Sequence, residues 1–371
     1  MPRKKAIGQA LLVSQIACVL ALVVITLGAW TRLVDAGLGC PDWPGCYGHL
    51  MVPTSSAQLA QANVLFPNHV VEADKGWPEM IHRYAAGILG LLITWLAFKA
   101  WQWRKLNGYP RKLSWLLWTL VITQALFGMW TVTLKLWPPV VTLHLLGGMS
   151  TLALLFVLSL RLKRFYNRWA DREGWSEMRF DSLLLHEHGQ HEWALLWKLR
   201  QWASFALLIL MLQISLGGWT SANYAAMACP DFPTCQGQWL PNTDLQQGFN
   251  LTPPVGANYL GGQLDAPARV AIHMAHRAGA LVTMLVLGGL AFYMLKNPFT
   301  LLLQVRAFWL MSTLILQLSL GVANVFLNFP LPLAVLHNLG AALLLLALCN
   351  LLWYLQALHP PLPVGGMVRH A

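Results

Sequence analysis

Trp30-Thr-Arg-Leu-Val-Asp-Ala-Gly-Leu-Gly-Cys-Pro-Asp-Trp-Pro-Gly-Cys46 recurs 189 residues later as Trp219-Thr-Ser-Ala-Asn-Tyr-Ala-Ala-Met-Ala-Cys-Pro-Asp-Phe-Pro-Thr-Cys235. Working outward, His82-Arg83 is matched by His276-Arg277, Gln124 and Gly128 by Gln317 and Gly321, and His144 by His337, at offsets of 193 or 194. Four matches in one order at nearly constant spacing mark a duplicated chain. Between them lie apolar runs, which we read as eight spans at about 10–31, 80–101, 113–134, 140–160, 201–221, 268–294, 304–326 and 333–355. Each is near the ~20 residues a helix needs to cross a bilayer. Four spans per repeat is an even number, so both halves share one orientation, a parallel repeat about an axis along the membrane normal. The expectation is an all-α integral membrane protein with eight transmembrane helices in two pseudo-symmetric four-helix bundles. The N-terminal bundle takes 1–160, a linker 161–200 and the C-terminal bundle 201–371.

Composition agrees. Of 371 residues, 57% are hydrophobic and 11% charged, against roughly 25% charged in a soluble domain. A net charge of +11 would point a soluble chain towards nucleic acid. Here the cations cluster before the first span, between spans two and three, between four and five and between six and seven. The positive-inside rule then puts both termini and the linker in the cytoplasm and the cysteine loops in the periplasm. The basic excess is thus topological, with the lipid bilayer as its contact and no nucleic-acid partner. Met1-Pro-Arg-Lys-Lys5 could open a secretory signal, but the apolar run exceeds a signal core of ~7–15 residues. We expect an uncleaved first span, with a cleaved signal as the alternative.

His82, His144, His276 and His337 each fall near the start of a span that begins outside. They should lie at similar depth, two per bundle. Ionisable groups inside a membrane are costly and usually face the bundle interior. Two neutral imidazoles facing each other suit axial ligation of haem iron. The plainer reading is four hydrogen-bonded core histidines, and a non-haem metal would want three or four ligands, often carboxylates. One obvious carboxylate is present: Glu79 precedes His82 by three residues and shares its helix face, whereas its counterpart is His273. Beside a haem edge, Glu79 can take protons or stabilise a developing cation. As an N-terminal acid it would instead serve the helix dipole.

Arg83, Arg277, Arg32 and Arg269 are candidate partners for haem propionates, since arginine binds carboxylates in bidentate fashion. Snorkelling to the outer interface competes with that role. Gln124 and Gln317 can hydrogen-bond within their bundles. Cys40 and Cys46, like Cys229 and Cys235, have five residues between them. Structural disulfides are the favoured reading; a redox-active pair and zinc binding are the alternatives. Cys18 and Cys349 fall within spans as buried apolar residues. In the linker, His186-Glu-His-Gly-Gln-His191 could bind a metal, though a solvated loop is preferred.

Taken together, Glu79-Met-Ile-His82-Arg83, His144, His276-Arg277, His337 and the paired cysteines resemble the haem A synthase family over essentially the whole chain. The resemblance implies an oxidoreductase acting on a CH group of haem O. Its C8 methyl would become a formyl group by successive hydroxylation, giving haem A for cytochrome oxidase. It also implies the substrate haem between His82 and His144, a haem b iron between His276 and His337, and Glu79 as the catalytic carboxylate. A haem O synthase and an electron acceptor are the implied partners, and a homo-oligomer is compatible. A bis-haem b electron-transfer protein that oxidises quinol and leaves haem unmodified would use the same four histidines. A transporter is disfavoured by the few Pro or Gly breaks at midplane.

Overall fold

The computed structural model describes residues 2–170 and 190–358. The histidine cluster that starts at His186 lies outside them, save for the backbone of Gln190 and His191. Among the described residues the chain is helical: α1 (Pro2–Leu33), α2 (Ser56–Leu65), α3 (Ala73–Gln102), α4 (Arg111–Thr133), α5 (Pro138–Ala170), α6 (Gln190–Ala222), α7 (Leu245–Gly248), α8 (Ala266–Lys296), α9 (Leu301–Phe326) and α10 (Leu331–Ala357). All but α2 and α7 are long and apolar enough to cross a bilayer, which meets the eight expected spans. The chain is a multi-pass membrane protein.

Packing follows the repeat. α1 packs on α3, α3 on α4, α4 on α5 and α5 on α1; α6 packs on α8, α8 on α9, α9 on α10 and α10 on α6. The two rings meet through α5 with α6, α1 with α10, and α5 with α10. Exchanging α1 with α6 and α5 with α10 maps these contacts onto one another, consistent with two four-helix bundles around a pseudo-twofold axis. In lipid, helices are held by close packing rather than by a hydrophobic drive, so small residues collect where backbones approach. On α1 the buried face runs Ile7, Ala10, Ser14, Ala17, Ala21, Ile25, while Leu12, Ile16, Val19 and Val23 look outward. On the shared helix α5, Leu152, Leu155, Leu158 and Leu162 are fully buried at helical spacing.

A finer repeat appears at the helix ends. α1, α4, α6 and α9 all finish with a left-handed residue: Asp35 (φ 54°), Lys135 (φ 49°), Tyr224 (φ 53°) and Asn328 (φ 55°). The next N–H, of Ala36, Leu136, Ala225 and Phe329, donates to the carbonyl of Thr31, Thr131, Thr220 and Asn324 respectively. The left-handed residue itself donates to Arg32, Val132, Ser221 or Val325. This is the Schellman arrangement, which uses up carbonyls the helix leaves unpaired. Each bundle is therefore two helical hairpins closed in the same way. Glycine, the usual residue at this position, is absent from all four, so the sequence carries no obvious stop signal there.

Candidate functional site

The four histidines sit on α3, α5, α8 and α10, near the ends that face the disulfide loops. Each ring lies over a glycine of the preceding spanning helix. A Cβ on Gly28 would stand 2.9 Å from Cε1 of His82; on Gly128, 3.4 Å from that of His144; on Gly217, 3.2 Å from that of His276; and on Gly321, 3.0 Å from that of His337. In each hairpin one helix thus gives up a side chain so that the other can place an imidazole.

The His82 and His144 rings are 6.5 Å apart between centroids, with planes at 85°. Two imidazoles sharing one metal ion, each nitrogen at about 2 Å, put their ring centres roughly 6 Å apart. His276 and His337 occupy the matching positions on α8 and α10 of the second bundle. Buried Nδ1 atoms of His82, His144 and His337 have no hydrogen-bond partner. An unpaired buried polar atom costs about 1–3 kcal/mol, and a bound ligand could remove that cost at nitrogens of this kind. Among the described residues, no group of three or more His, Cys, Asp or Glu comes together. The donor set is therefore histidine pairs rather than a carboxylate cage, and it fits bis-histidine ligation of haem.

Glu79 is buried. Its Oε2 accepts from the Cys40 N–H at 2.9 Å and its Oε1 pairs with the Arg83 guanidinium. Arg83 Nη1 also donates to the carbonyls of Asp42 (3.0 Å), Gly45 (2.6 Å) and Pro44 (3.3 Å). Arg277 repeats this clasp, donating to Thr234 (2.8 Å), Asp231 (2.7 Å) and Cys229 (3.3 Å). His273, at the position matching Glu79, has Nδ1 3.1 Å from the Ala225 carbonyl. Both residues thus hold the loop that follows the first helix of their half.

The other two arginines also engage backbone. Arg269 donates to Leu264 (2.8 Å). Arg32 donates to Ser221 (2.8 Å) and lies 4.1 Å from the centroid of the Tyr224 ring. All four guanidiniums expected at haem propionates are thus seen holding the chain itself.

Cys40 is bonded to Cys46 and Cys229 to Cys235. Each pair closes the same hairpin, with positive φ at Tyr47-Gly48 and at Gln236-Gly237, as a type I′ turn requires. Asp42 accepts from the N–H groups of Tyr47 and Gly48, and Asp231 from those of Gln236 and Gly237. The Thr234 hydroxyl, with these N–H groups, holds the Asp231 carboxyl below its ordinary value of 3.8. Cys18 and Cys349 are buried and free.

Sequence reasoning missed Gln213 and Gly217, although the Gln-x3-Gly spacing of Gln124/Gly128 and Gln317/Gly321 could have found them. Gln213 Nε2 lies 3.1 Å from His276 Nδ1, and Gln317 Nε2 lies 3.3 Å from His337 Nε2.

Over residues 12–349 the chain matches the COX15-CtaA family, described as cytochrome oxidase assembly protein. The chain belongs to this family. The matched stretch includes all four histidines, Glu79 and both disulfide hairpins. A heme A synthase of Shewanella oneidensis is 42% identical, covering 92% of this chain and 95% of the relative. Heme A synthases of Shouchella clausii and Caulobacter sp. (strain K31) are 26% and 25% identical, over 88% and 91% of this chain. The family match therefore spans both helical rings, from within α1 to within α10.

Proposed function

We propose that this chain is a haem A synthase, an oxidoreductase that converts the C8 methyl group of haem O into a formyl group. The observation that carries the reading is the His82–His144 pair, with ring centres 6.5 Å apart, together with a second histidine pair at the matching positions of the repeat. Family membership and the 42% identical relative supply the reaction class. In our reading the N-terminal bundle, 1–160, takes haem O between His82 and His144. The C-terminal bundle, 201–371, keeps a haem b between His276 and His337, and 161–200 is a linker. Both termini lie in the cytoplasm of a bacterial inner membrane, and the disulfide hairpins lie in the periplasm.

A resident haem b supplies one-electron redox chemistry when bound. The chain's own residues do the rest. His82 and His144 hold the substrate iron and so fix the porphyrin in the bundle. Glu79, one turn from His82 and anchored by Arg83 and the Cys40 N–H, provides a fixed negative charge. Such a charge stabilises positive charge that develops as electrons leave the methyl carbon, and it needs no reorganisation in a water-poor site. His273 replaces it in the other half, so only the first bundle carries this charge. A haem O synthase handing over the insoluble substrate, and an electron acceptor, are the partners this chemistry calls for.

Co-expression with a haem O source tests the proposal. Wild type should yield haem A or hydroxylated haem O alongside haem B. Glu79→Ala should bind pigment but lose conversion by at least tenfold. Equal conversion by Glu79→Ala would remove its catalytic role. Haem B alone from the wild type would favour a bis-haem electron-transfer protein.

A further inference from the structure

Three of the four site histidines have a glutamine beside them that the fourth lacks, and in two of them the glutamine reaches the ring. A glutamine stands four residues before the glycine beneath the ring in three hairpins: Gln124, Gln213 and Gln317. In the same hairpins a second glycine follows the histidine by three residues: Gly147, Gly279 and Gly340. The glutamine occupies the space which that glycine leaves. An added Cβ would meet Gln124 Nε2 at 1.7 Å, Gln213 Oε1 at 2.2 Å and Gln317 Oε1 at 2.3 Å. Glutamine on one helix and a side chain on the other therefore exclude each other. From this slot Gln213 reaches His276 Nδ1 at 3.1 Å and the His276 carbonyl at 3.0 Å, and Gln317 reaches the His337 ring at 3.3 Å.

His82 departs at both positions. Val24 stands four residues before Gly28, and Ala85 follows His82 by three. Valine offers the ring no side-chain hydrogen bond, and the alanine methyl takes up the slot a glutamine would need. The two departures are coupled, as the steric exclusion demands.

We infer that Gln213 and Gln317 are positioning residues that fix the orientation of His276 and His337, and that His82 and His144, whose rings no glutamine reaches, are the ligands left free to swing. The assignment of substrate to this pair rests on the function proposed above. A metal-bound histidine held by an outer hydrogen bond keeps its orientation and basicity, and losing such a partner typically costs 10–100-fold in affinity. A resident haem profits from two held ligands. A substrate that must enter and a product that must leave need one that lets go. The pair whose rings no glutamine reaches is the one we assign to haem O, and a haem held there would be the one released during exchange.

The test is haem release from the full-length protein in detergent, loaded with haem B and mixed with excess apomyoglobin, alongside the low-spin spectrum of each site. Val24→Gln with Ala85→Gly should slow release from the His82/His144 pair by roughly 10–100-fold. Val24→Gln alone should not, because the Ala85 methyl still fills the slot. Gln213→Met, which keeps the packing against Gly279, should speed release from the other pair by a similar factor and shift its low-spin signal. The inference is overturned if the double variant releases haem as fast as wild type or binds none, or if Gln213→Met behaves as wild type. Slower release from the double variant, in a protein whose wild type makes no haem A, would keep the positioning role and discard only the substrate assignment.

Discussion

Arg83 and Arg277 each tie a disulfide hairpin to the helix that carries a site histidine, but they differ in what else they touch. Arg83 also forms an ion pair with the buried Glu79, whereas the position matching Glu79 beside Arg277 is His273. Removing one partner of a buried ion pair costs about 3–5 kcal/mol, because the other charge is stranded. Arg83→Met should therefore lower the thermal midpoint of the purified protein clearly more than Arg277→Met does. Equal losses would mean that the carbonyl contacts, rather than the ion pair, carry the effect. Lysine should rescue neither fully, since an ammonium lacks the fork that spans several carbonyls. At this scale the meeting of His82 with His144 was legible in the sequence, because duplication made each half a comparison for the other. The arginine contacts were not, because they run to backbone carbonyls, which leave no residue signature.

Among elements, the four Schellman ends and the two hairpins do the positioning. Lys135 is exposed and left-handed. A β-branched residue is a severe outlier there, so Lys135→Val should destabilise by about 1–2 kcal/mol. Lys135→Gly should be close to neutral, since relieved strain offsets the entropy that glycine adds to the unfolded chain. Thermal melting of the two variants side by side checks this; equal melting would contradict it.

The depressed Asp231 carboxyl gives the second hairpin a pH signature. A carboxyl with a lowered folded value stabilises above its ordinary 3.8 and loses that contribution as pH falls through the folded value. The Cys229–Cys235 hairpin should resist proteolysis at mildly acid pH and loosen only below 3.8. Asp231→Asn should abolish that pH dependence. Loosening of the wild type well above that value would contradict the account. The eight spans were legible from hydropathy. α3 begins at Ala73 rather than near 80, because its first polar turns, with Asp74 and Lys75, extend the helix beyond the apolar run. α2 escaped the reading although its capping box, Ser55 with Gln58, is written in the sequence.

Across the whole molecule, the halves are joined at the disulfide end by residues and their own repeat counterparts. Arg32 holds the Ser221 carbonyl, its equivalent position, and Tyr224 donates to Asp35, its own equivalent, at 2.7 Å. Trp137 donates to the Pro253 carbonyl at 3.0 Å, and the Tyr259 N–H to the Lys135 carbonyl at 3.0 Å. The second half thus caps the first. Tyr224→Ala should loosen this seam, seen as faster amide exchange in residues 32–36 and 221–226 with little change in the buried α5 and α10. Uniform protection would contradict it. Duplication was legible from matched motifs, but the contact between the halves was not, because it depends on how two similar surfaces meet.

The most direct measurement is mass spectrometry of porphyrins extracted from the wild-type protein, purified from cells that also make haem O. We predict haem A or hydroxylated haem O together with unmodified haem B. Haem B with only unaltered haem O, from a protein whose bis-histidine spectrum is intact, would contradict the account.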